Sequence, residues 1–390
     1  MEQIETKRIS VLDAIRGFAL IAIMILHNLE HFDMLHTPTD LPQWMLTLDQ
    51  IIYKGIFFLF AGKAYSIFAL MFGVTFYIQY QNQAKKGNDF RVRFAWRMIL
   101  LLLFGIINSA IYQGDILTIY ALLGFMLIPF ARLNNRVILG FAVFLLLQPL
   151  EIYHLIEGLL HPQKELSNPV SWAYYAKMQE YIPHGSIIEV IKGNLTNGKK
   201  AVYLWSYGNG RFFSIVALFL LGYLLAKKQL FIWNDRVKAF WKKALKIAAI
   251  VFVPLWILEI YIPDIISSEA ILRPLKVIES SWINLAFMFI LLSGFMLLFH
   301  TTKAQSKLSV FSPVGRMSMS NYILQSFMGA SIYYGFGLGL YDSTGATHCF
   351  LIGLALSMVL IGLSSWWTKH HKRGPLEQIW HNLTWIKKKS

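Results

Sequence analysis

Residues 12–28 read Leu-Asp-Ala-Ile-Arg-Gly-Phe-Ala-Leu-Ile-Ala-Ile-Met-Ile-Leu-His-Asn, an apolar run that contains one arginine and one histidine. Arg16 and His27 are 11 residues apart, about three helical turns or roughly 16 Å, so they lie on a similar face near opposite ends of one helix. An ionisable residue inside a membrane helix costs about 2.5 kcal/mol or more unless a partner or water compensates it. The stretch therefore predicts a membrane span with a functional polar face.

Both residues also have simpler interpretations. Arg16 lies a few residues into the span and could extend to one membrane surface, while His27 could lie at the other interface. The presence of both, together with Asp13 and His31, favours the functional interpretation.

The composition indicates an all-α, polytopic integral membrane helical bundle. The chain is 56% hydrophobic and 15% charged, with a mean hydropathy of +0.50. Its apolar runs predict about ten transmembrane helices. A single cysteine, Cys349, rules out a disulfide within the chain.

The expected spans divide the chain into three parts. They cover about 11–29, 53–80, stretches ending near 112, 131 and 153, then 212–226, 247–262, 282–299, 318–338 and 347–367. The second is interrupted at 61–64 by Ala-Gly-Lys-Ala, which predicts a broken or kinked helix. The parts are an N-terminal helical half (1–153), an extracytoplasmic aromatic-rich segment (154–210) and a C-terminal helical half with a tail (211–390).

The positions of Lys and Arg predict the orientation. With both termini cytoplasmic, the termini and the loops on that side hold 25 of the 36 Lys and Arg residues, a strong positive-inside bias. The net charge of +15 is thus explained by topology, without a nucleic-acid partner. We expect a multi-pass protein of the cytoplasmic (inner) membrane, with membrane lipid as its surroundings.

Three residues near the outer face are candidates for catalysis. In this orientation His27, Asp49 and Asp115 fall on the same side, where a histidine with an orienting carboxylate could act as a base. Asp115 follows Gly114 at a tight turn, so a turn or helix-cap role is the alternative.

The spacing of Arg16-Gly17 and His27 resembles the signature of the type-3 family of integral-membrane acyltransferases. That resemblance implies that His27 is essential to transfer. The chain also resembles, over nearly its whole length, the YeiB-like family of conserved bacterial membrane proteins. The matching segments are 12–20, 66–73, 114–124, 315–326, 334–340 and 374–377.

The wider similarity of such proteins to membrane acyltransferases, including the heparan glucosaminide N-acetyltransferase type, implies an activity. An acyl group would pass from a cytoplasmic donor, acetyl-CoA or another acyl-CoA, to an extracytoplasmic small-molecule or glycan acceptor. His27 would act as a base or carry the acyl group itself, and these two roles stay open. A secondary transporter of a small solute is the alternative, although the sequence contains no internal repeat.

The same resemblance directs attention to basic and amide side chains that could bind the donor. Four arginines are expected at the inner mouth near the CoA phosphates, although ordinary positive-inside charge also explains each of them: Arg91, Arg93, Arg97 and Arg316. Arg16 would bind donor or hold the helix geometry. Lys63, Asn321 and Gln325 are further candidates, the two amides having interhelical hydrogen bonding as their alternative. The histidines have no metal-site spacing, and a homodimer is compatible with the sequence.

Overall fold

The structure, a computed structural model, describes residues 9–34, 36–38 and 40–385. Every regular element in these ranges is helical, which confirms the all-α expectation. Five of the basic residues that predict the topology lie outside the described residues, namely Lys7, Arg8, Lys387, Lys388 and Lys389.

The first eight α-helices lie within residues 10–160. They are α1 (Ser10–Leu29), α2 (Gln43–Phe60), α3 (Ala64–Ala84), α4 (Arg91–Ile111), α5 (Leu117–Gly124), α6 (Leu127–Phe130), α7 (Asn135–Leu146) and α8 (Pro149–Leu160). The remaining α-helices are α9 (Val170–Met178), α10 (Ile187–Gly193), α11 (Lys199–Gly208), α12 (Arg211–Lys227), α13 (Asp235–Ile265), α14 (Glu269–Phe299), α15 (Thr302–Leu308), α16 (Ser312–Arg316), α17 (Ser318–Tyr333), α18 (Ala346–His370) and α19 (Pro375–Thr384). A π-helix spans Asn194–Gly198 and a 3-10 helix spans Ser309–Phe311.

The length and composition of the described helices do not confirm the expected count of about ten spans. Six described helices are long and apolar enough to cross a membrane, with α2 and α3 taken as one, or up to eight if two bent pairs each form one span. One of these pairs joins 187–208 to α12 with a 72° bend. The spans expected near 117–131 and 318–338 are α5 with α6, and α17, which are shorter than the roughly 20 residues that a span needs. The chain is a multi-pass membrane protein.

Helix α1 lies at the centre of the bundle. Most of its residues are buried, including apolar ones on all sides, as expected for a helix surrounded by other helices. It crosses α16 at two glycines, because a Cβ at Gly17 would overlap the carbonyl of Phe311 and a Cβ at Gly315 would overlap the carbonyl of Asp13. This backbone contact places Arg16 and Arg316, the neighbours of the two glycines, beside each other at one end of the bundle.

The predicted interruption at 61–64 is present. Helix α2 ends at Phe60 and α3 begins at Ala64, and Gly62 between them has a φ of 77° that only glycine adopts without strain. The side chain of Asn284 occupies the space where a Cβ of Gly62 would lie. At this break, the backbone polar groups and Lys63 therefore lie beside α14 inside the bundle.

Candidate functional site

The bundle has two ends, which we name by the helix α1. The 'basic end' is the end at which α1 begins, and the 'aromatic end' is the end at which α1 stops. A cavity of about 580 Å³ lies at the aromatic end. We call it the histidine cavity. Its lining comes from the last turn of α1 and the turn after it, the break between α2 and α3, the turn after α4, and aromatic residues of α9 and α11. The lining residues include His27, Glu30, Asp33, Tyr65, Tyr112, Trp172, Tyr175, Trp205, Arg211 and Tyr322.

His27 is held in this cavity by two oxygen atoms. Its Nδ1 lies 3.1 Å from the hydroxyl of Tyr112 and 3.4 Å from Oε2 of Glu30. Glu30 follows three residues after His27, a spacing that lets the two side chains meet at a helix end. When Nδ1 carries the proton and donates it to one of these oxygens, Nε2 has the free lone pair of a base. Nε2 has no hydrogen-bond partner among the described residues.

Asp33 completes this group. Its Oδ1 lies 3.4 Å from the Tyr112 hydroxyl, and its Oδ2 accepts a hydrogen bond from Nε2 of Gln113 at 3.1 Å. Burial, and then the negative charge of Glu30, raise the pKa of Asp33 to about 6, against the lowering effect of His27. His27, Tyr112 and Asp33 thus form a continuous chain of polar contacts, in which a proton can be redistributed.

The backbone that carries Asp33 is unusual. His31, Phe32 and Asp33 have φ angles of 48°, 54° and 73°, a left-handed turn made by three residues with side chains. Tyr334 supports the turn, since its hydroxyl lies 2.9 Å from the carbonyl oxygen of Phe32 and 3.1 Å from Oε1 of Gln113. This turn reverses the chain so that Asp33 lies beside the last turn of α1.

Sequence analysis missed three members of this site. Glu30, Asp33 and Tyr112 are not among the candidates predicted from the sequence. The spacing of His27 and Glu30 was a usable signal, because such pairs adjoin on a helix. Tyr112 offered no signal, since it is 85 residues from His27 in the sequence and approaches it only in the folded protein.

Asp115 lies near this site but outside the residues that line the histidine cavity. It is fully buried, and it accepts hydrogen bonds from the amide of Thr118 and from Nδ2 of Asn108, both at 2.9 Å. Nζ of Lys199 is 3.9 Å from its carboxylate. Burial raises the pKa of Asp115, and the charge of Lys199 opposes that shift. These contacts match the helix-cap alternative, because Asp115 satisfies the first turn of α5.

Asp49 also serves a helix terminus. Its carboxylate accepts hydrogen bonds from the amide and the hydroxyl of Thr347, in the first turn of α18, at 2.7 and 2.5 Å. It is buried and lies outside the lining of the histidine cavity. The structure therefore gives His27 carboxylate neighbours, but they are Glu30 and Asp33 in place of Asp49 and Asp115.

A second cavity, of about 510 Å³, lies at the basic end. We call it the basic cavity. Five of its lining residues are cationic and one is acidic: Arg16, Arg97, Arg316, Lys372, Arg373 and Glu377. Glu377 is engaged by the amides of Met319 and Ser320 at 2.7 and 3.1 Å. The excess of positive charge favours an anionic ligand.

The arginines of the basic cavity are held in defined positions. Arg16 pairs with Asp13 at 3.0 Å, and the guanidinium of Arg97 stacks on Trp380 at 3.9 Å and donates to the Thr384 hydroxyl at 3.2 Å. Arg316 donates to the carbonyl of Lys372 at 3.4 Å.

Other donor-binding candidates lie elsewhere. Arg91 pairs with Asp89 at 2.6 Å on the surface, and Arg93 stacks on Trp385 at 4.3 Å. Lys63 lies in a third cavity, with Nζ 5.8 and 5.6 Å from the rings of Phe58 and Phe287. None of these three lines the basic cavity.

The two amides of α17 are buried in the bundle. Asn321 donates to the carbonyl of Val314 at 3.1 Å and to the Ser364 hydroxyl at 2.8 Å, which ties α17 to α18 as in the interhelical alternative. Neither amide atom of Gln325 has a hydrogen-bond partner among the described residues. Neither amide lines the basic cavity or the histidine cavity.

A thin layer separates the two cavities. The consecutive residues Ile116 and Leu117 line the histidine cavity and the basic cavity, respectively. Tyr120 lines the basic cavity, and its hydroxyl donates at 2.8 Å to the carbonyl of Tyr65, which lines the histidine cavity. Arg16 and His27 therefore open from one helix into cavities on opposite sides of this layer.

Comparisons with known proteins agree with the expected family. Residues 225–387 match the model of a family described as "Protein of unknown function (DUF418)". The chain is 28% identical over 403 residues to the uncharacterised protein YxaH of Bacillus subtilis, covering 97% of this chain and 95% of that one. It is 31% identical over 71 residues, 18% of each chain, to the uncharacterised protein YeiB of Escherichia coli. No solved structure matches.

Proposed function

We propose that this chain, a member of a YeiB-like family of conserved bacterial proteins, is a membrane acyltransferase. It would move an acyl group, such as acetyl, from a CoA donor in the cytoplasm to an acceptor outside the cytoplasmic membrane. One observation carries the proposal: α1 exposes Arg16 to a basic cavity and His27 to a second cavity, with only the contact layer around Tyr65 and Tyr120 between them.

The basic cavity suits the donor. By the positive-inside rule its end faces the cytoplasm, where acyl-CoA is made available. CoA carries several phosphate charges, and arginine binds phosphate through paired, charge-assisted hydrogen bonds. Arg16, Arg97 and Arg316 converge on one volume and would bind these phosphates. The thioester end would then extend along α1 toward the tyrosine layer.

His27 suits the chemical step. Its Nε2 would take the proton from an acceptor hydroxyl or amine as that group attacks the thioester carbonyl. The new bond joins acceptor and acyl carbon, the carbon–sulfur bond breaks, and His27 returns the proton to the CoA thiolate. Tyr112 and Glu30 would hold the imidazole and stabilise its positive charge. An acyl-histidine intermediate is the second route.

A secondary transporter is the other candidate, favoured by the helix break at Gly62 and by two cavities that meet at a closed layer.

The binding of CoA distinguishes the acyltransferase function from the transporter function. In calorimetry on the detergent-purified protein, we expect acetyl-CoA and desulfo-CoA to bind saturably, and adenosine, which lacks the phosphates, to bind far more weakly. A correctly folded protein that binds neither CoA compound would contradict the acyltransferase proposal.

A further inference from the structure

A third cavity, of about 610 Å³, adjoins the histidine cavity. We call it the side cavity. The two cavities share five lining residues, so they adjoin along these residues: Ala61, Gly62, Tyr65, Trp205 and Arg211. The side cavity extends from the break between α2 and α3 to α13 and α14. His27 and Arg211 therefore line the same cavity, and Arg211 also lines the side cavity.

Arg211 lies at the junction of these cavities between two aromatic rings. Its guanidinium carbon is 4.5 Å from the centre of the Tyr65 ring and 4.1 Å from that of Trp205. Stacking holds the guanidinium plane in place and leaves its N–H edge for hydrogen bonding. No carboxylate or carbonyl among the described residues accepts a hydrogen bond from this edge.

The surroundings of Arg211 favour an anion. Arg211 is the first residue of the 17-residue helix α12, so the amides and the positive dipole of that helix start lie beside it. The side cavity adds Lys63 and Lys276, against Glu259 and Glu279. The junction thus has a fixed cation with unused donors, inside a volume large enough for a small organic molecule.

The charges of the histidine cavity are arranged along its length. Glu30 and Asp33 lie beside His27, whereas Arg211 contacts the aromatic residues of the shared wall. A molecule with a hydroxyl or amine at one end and an anionic group at the other matches this arrangement. The acidic end attracts and orients the nucleophile, and the guanidinium binds the anion bidentately.

We propose that the acceptor carries a phosphate or carboxylate group, which Arg211 binds between Tyr65 and Trp205 while the reactive group of the acceptor lies at His27. The description of this molecule as an acceptor rests on the proposed acyltransferase function, but the anion site does not. Arg211 is a specificity-determining residue in this account. It selects anionic molecules over neutral ones of the same shape.

The test is calorimetric binding to the full-length protein in a neutral detergent. The soluble probe is sn-glycerol 1-phosphate, with glycerol as its neutral match. The lipid probe is dihexanoyl phosphatidylglycerol, with dihexanoyl phosphatidylcholine as its match. The variants are Arg211→Ala and Arg211→Lys, and the control is Arg136→Ala, which removes an exposed arginine from the start of α7.

We expect saturable binding of at least one anionic probe by the wild type, about tenfold or more weaker in Arg211→Ala and intermediate in Arg211→Lys, which keeps the charge without the planar stack. Arg136→Ala should bind like the wild type. Binding of the soluble probe indicates a free small acceptor, and binding of the lipid probe alone indicates a lipid-borne one. Equal affinity in wild type and Arg211→Ala, or no binding of either anionic probe by the wild type, would overturn the inference.

Desulfo-CoA binding to the same samples separates this inference from the proposed function. Arg211 lies outside the basic cavity, so Arg211→Ala should keep the wild-type affinity for desulfo-CoA. If desulfo-CoA binds to none of the samples while the anionic probe still depends on Arg211, the acyltransferase function fails and the anion site stands.

Discussion

The hydroxyl of Tyr112 lies 3.1 Å from Nδ1 of His27 and joins the end of α4 to the last turn of α1. The two rings also pack edge to face, with centres 5.0 Å apart. This contact fixes the imidazole from the side opposite its free nitrogen. It makes Tyr112 a positioning residue for His27.

Replacing Tyr112 with Phe removes this hydroxyl and keeps the ring that packs on His27 and Phe32. We expect the loss of about 1 kcal/mol of stability, because one buried hydrogen bond is removed. The rate of transfer should fall about tenfold through kcat, with the affinity for desulfo-CoA unchanged. An equal fall in desulfo-CoA affinity would indicate a general structural effect. The measurement combines thermal unfolding, calorimetry and label transfer from acetyl-CoA into envelope material by inverted membrane vesicles.

His27→Ala should abolish transfer in those vesicles while leaving insertion and folding largely intact. The side chain lines the cavity and is 18% exposed, so its removal enlarges an existing cavity, although it also removes the ring contacts with Phe32 and Tyr112. The control is His154→Ala on α8, where the histidine is 46% exposed and lies 3.9 Å from Glu157. Normal transfer by the His27 variant, or an equal loss in the His154 variant, would remove His27 from the mechanism.

The fold class and the placement of Arg16 and His27 near opposite ends of one helix were predictable from the sequence. Both depend on local properties, namely apolar periodicity and the rise of one helix. The break at 61–64 was also predictable, because Gly-Lys in an apolar run interrupts a helix locally. In contrast, Asp33 lies on a left-handed turn and Tyr112 follows α4, and no local pattern places either of them beside His27.

The carboxylates illustrate the same limit. Asp49, Asp115 and Asp33 all lie near the aromatic end and look equivalent in the sequence. Tertiary packing gives them different hydrogen-bond partners. Asp49 accepts from the start of α18, Asp115 accepts from the start of α5, and Asp33 accepts from Tyr112. Asp33, which lies in the turn directly after α1, is the aspartate that neighbours His27.

Arg316 and Arg91 provide a matched pair for the donor site. Both are arginines of the basic end, but Arg316 lines the basic cavity and Arg91 pairs with Asp89 outside it. We expect Arg316→Gln to weaken desulfo-CoA binding about tenfold, since a charge-assisted hydrogen bond contributes about 1.5 kcal/mol or more. Arg91→Gln should bind normally. Calorimetry that finds the two variants equally affected would indicate general surface charge in place of a site.

Gly17→Ala should destabilise the bundle. The added methyl would meet the carbonyl of Phe311 and force α1 away from α16, at a cost of about 2 kcal/mol or more. The matched control is Gly140→Ala in α7, where a Cβ has open space and the higher helix propensity of alanine adds up to about 1 kcal/mol. Thermal unfolding in detergent should lower the Tm of the first variant and keep or raise that of the second. A Tm unchanged by Gly17→Ala would refute the tight crossing.

The pH dependence of stability follows from Asp33. Its pKa of about 6 in the folded protein lies above the ordinary value of 3.8, so the unfolded chain releases this proton first as pH rises. The contribution of the protonated form to stability is complete below about pH 4 and is lost as pH rises through 6. Asp33→Asn keeps an acceptor for Tyr112, replaces the oxygen that accepts from Gln113 with an amide nitrogen, and cannot ionise, so it should flatten this decline. The test is the free energy of unfolding of wild type and Asp33→Asn, measured from pH 4 to pH 8. Parallel pH profiles for the two proteins would show that Asp33 has an ordinary pKa.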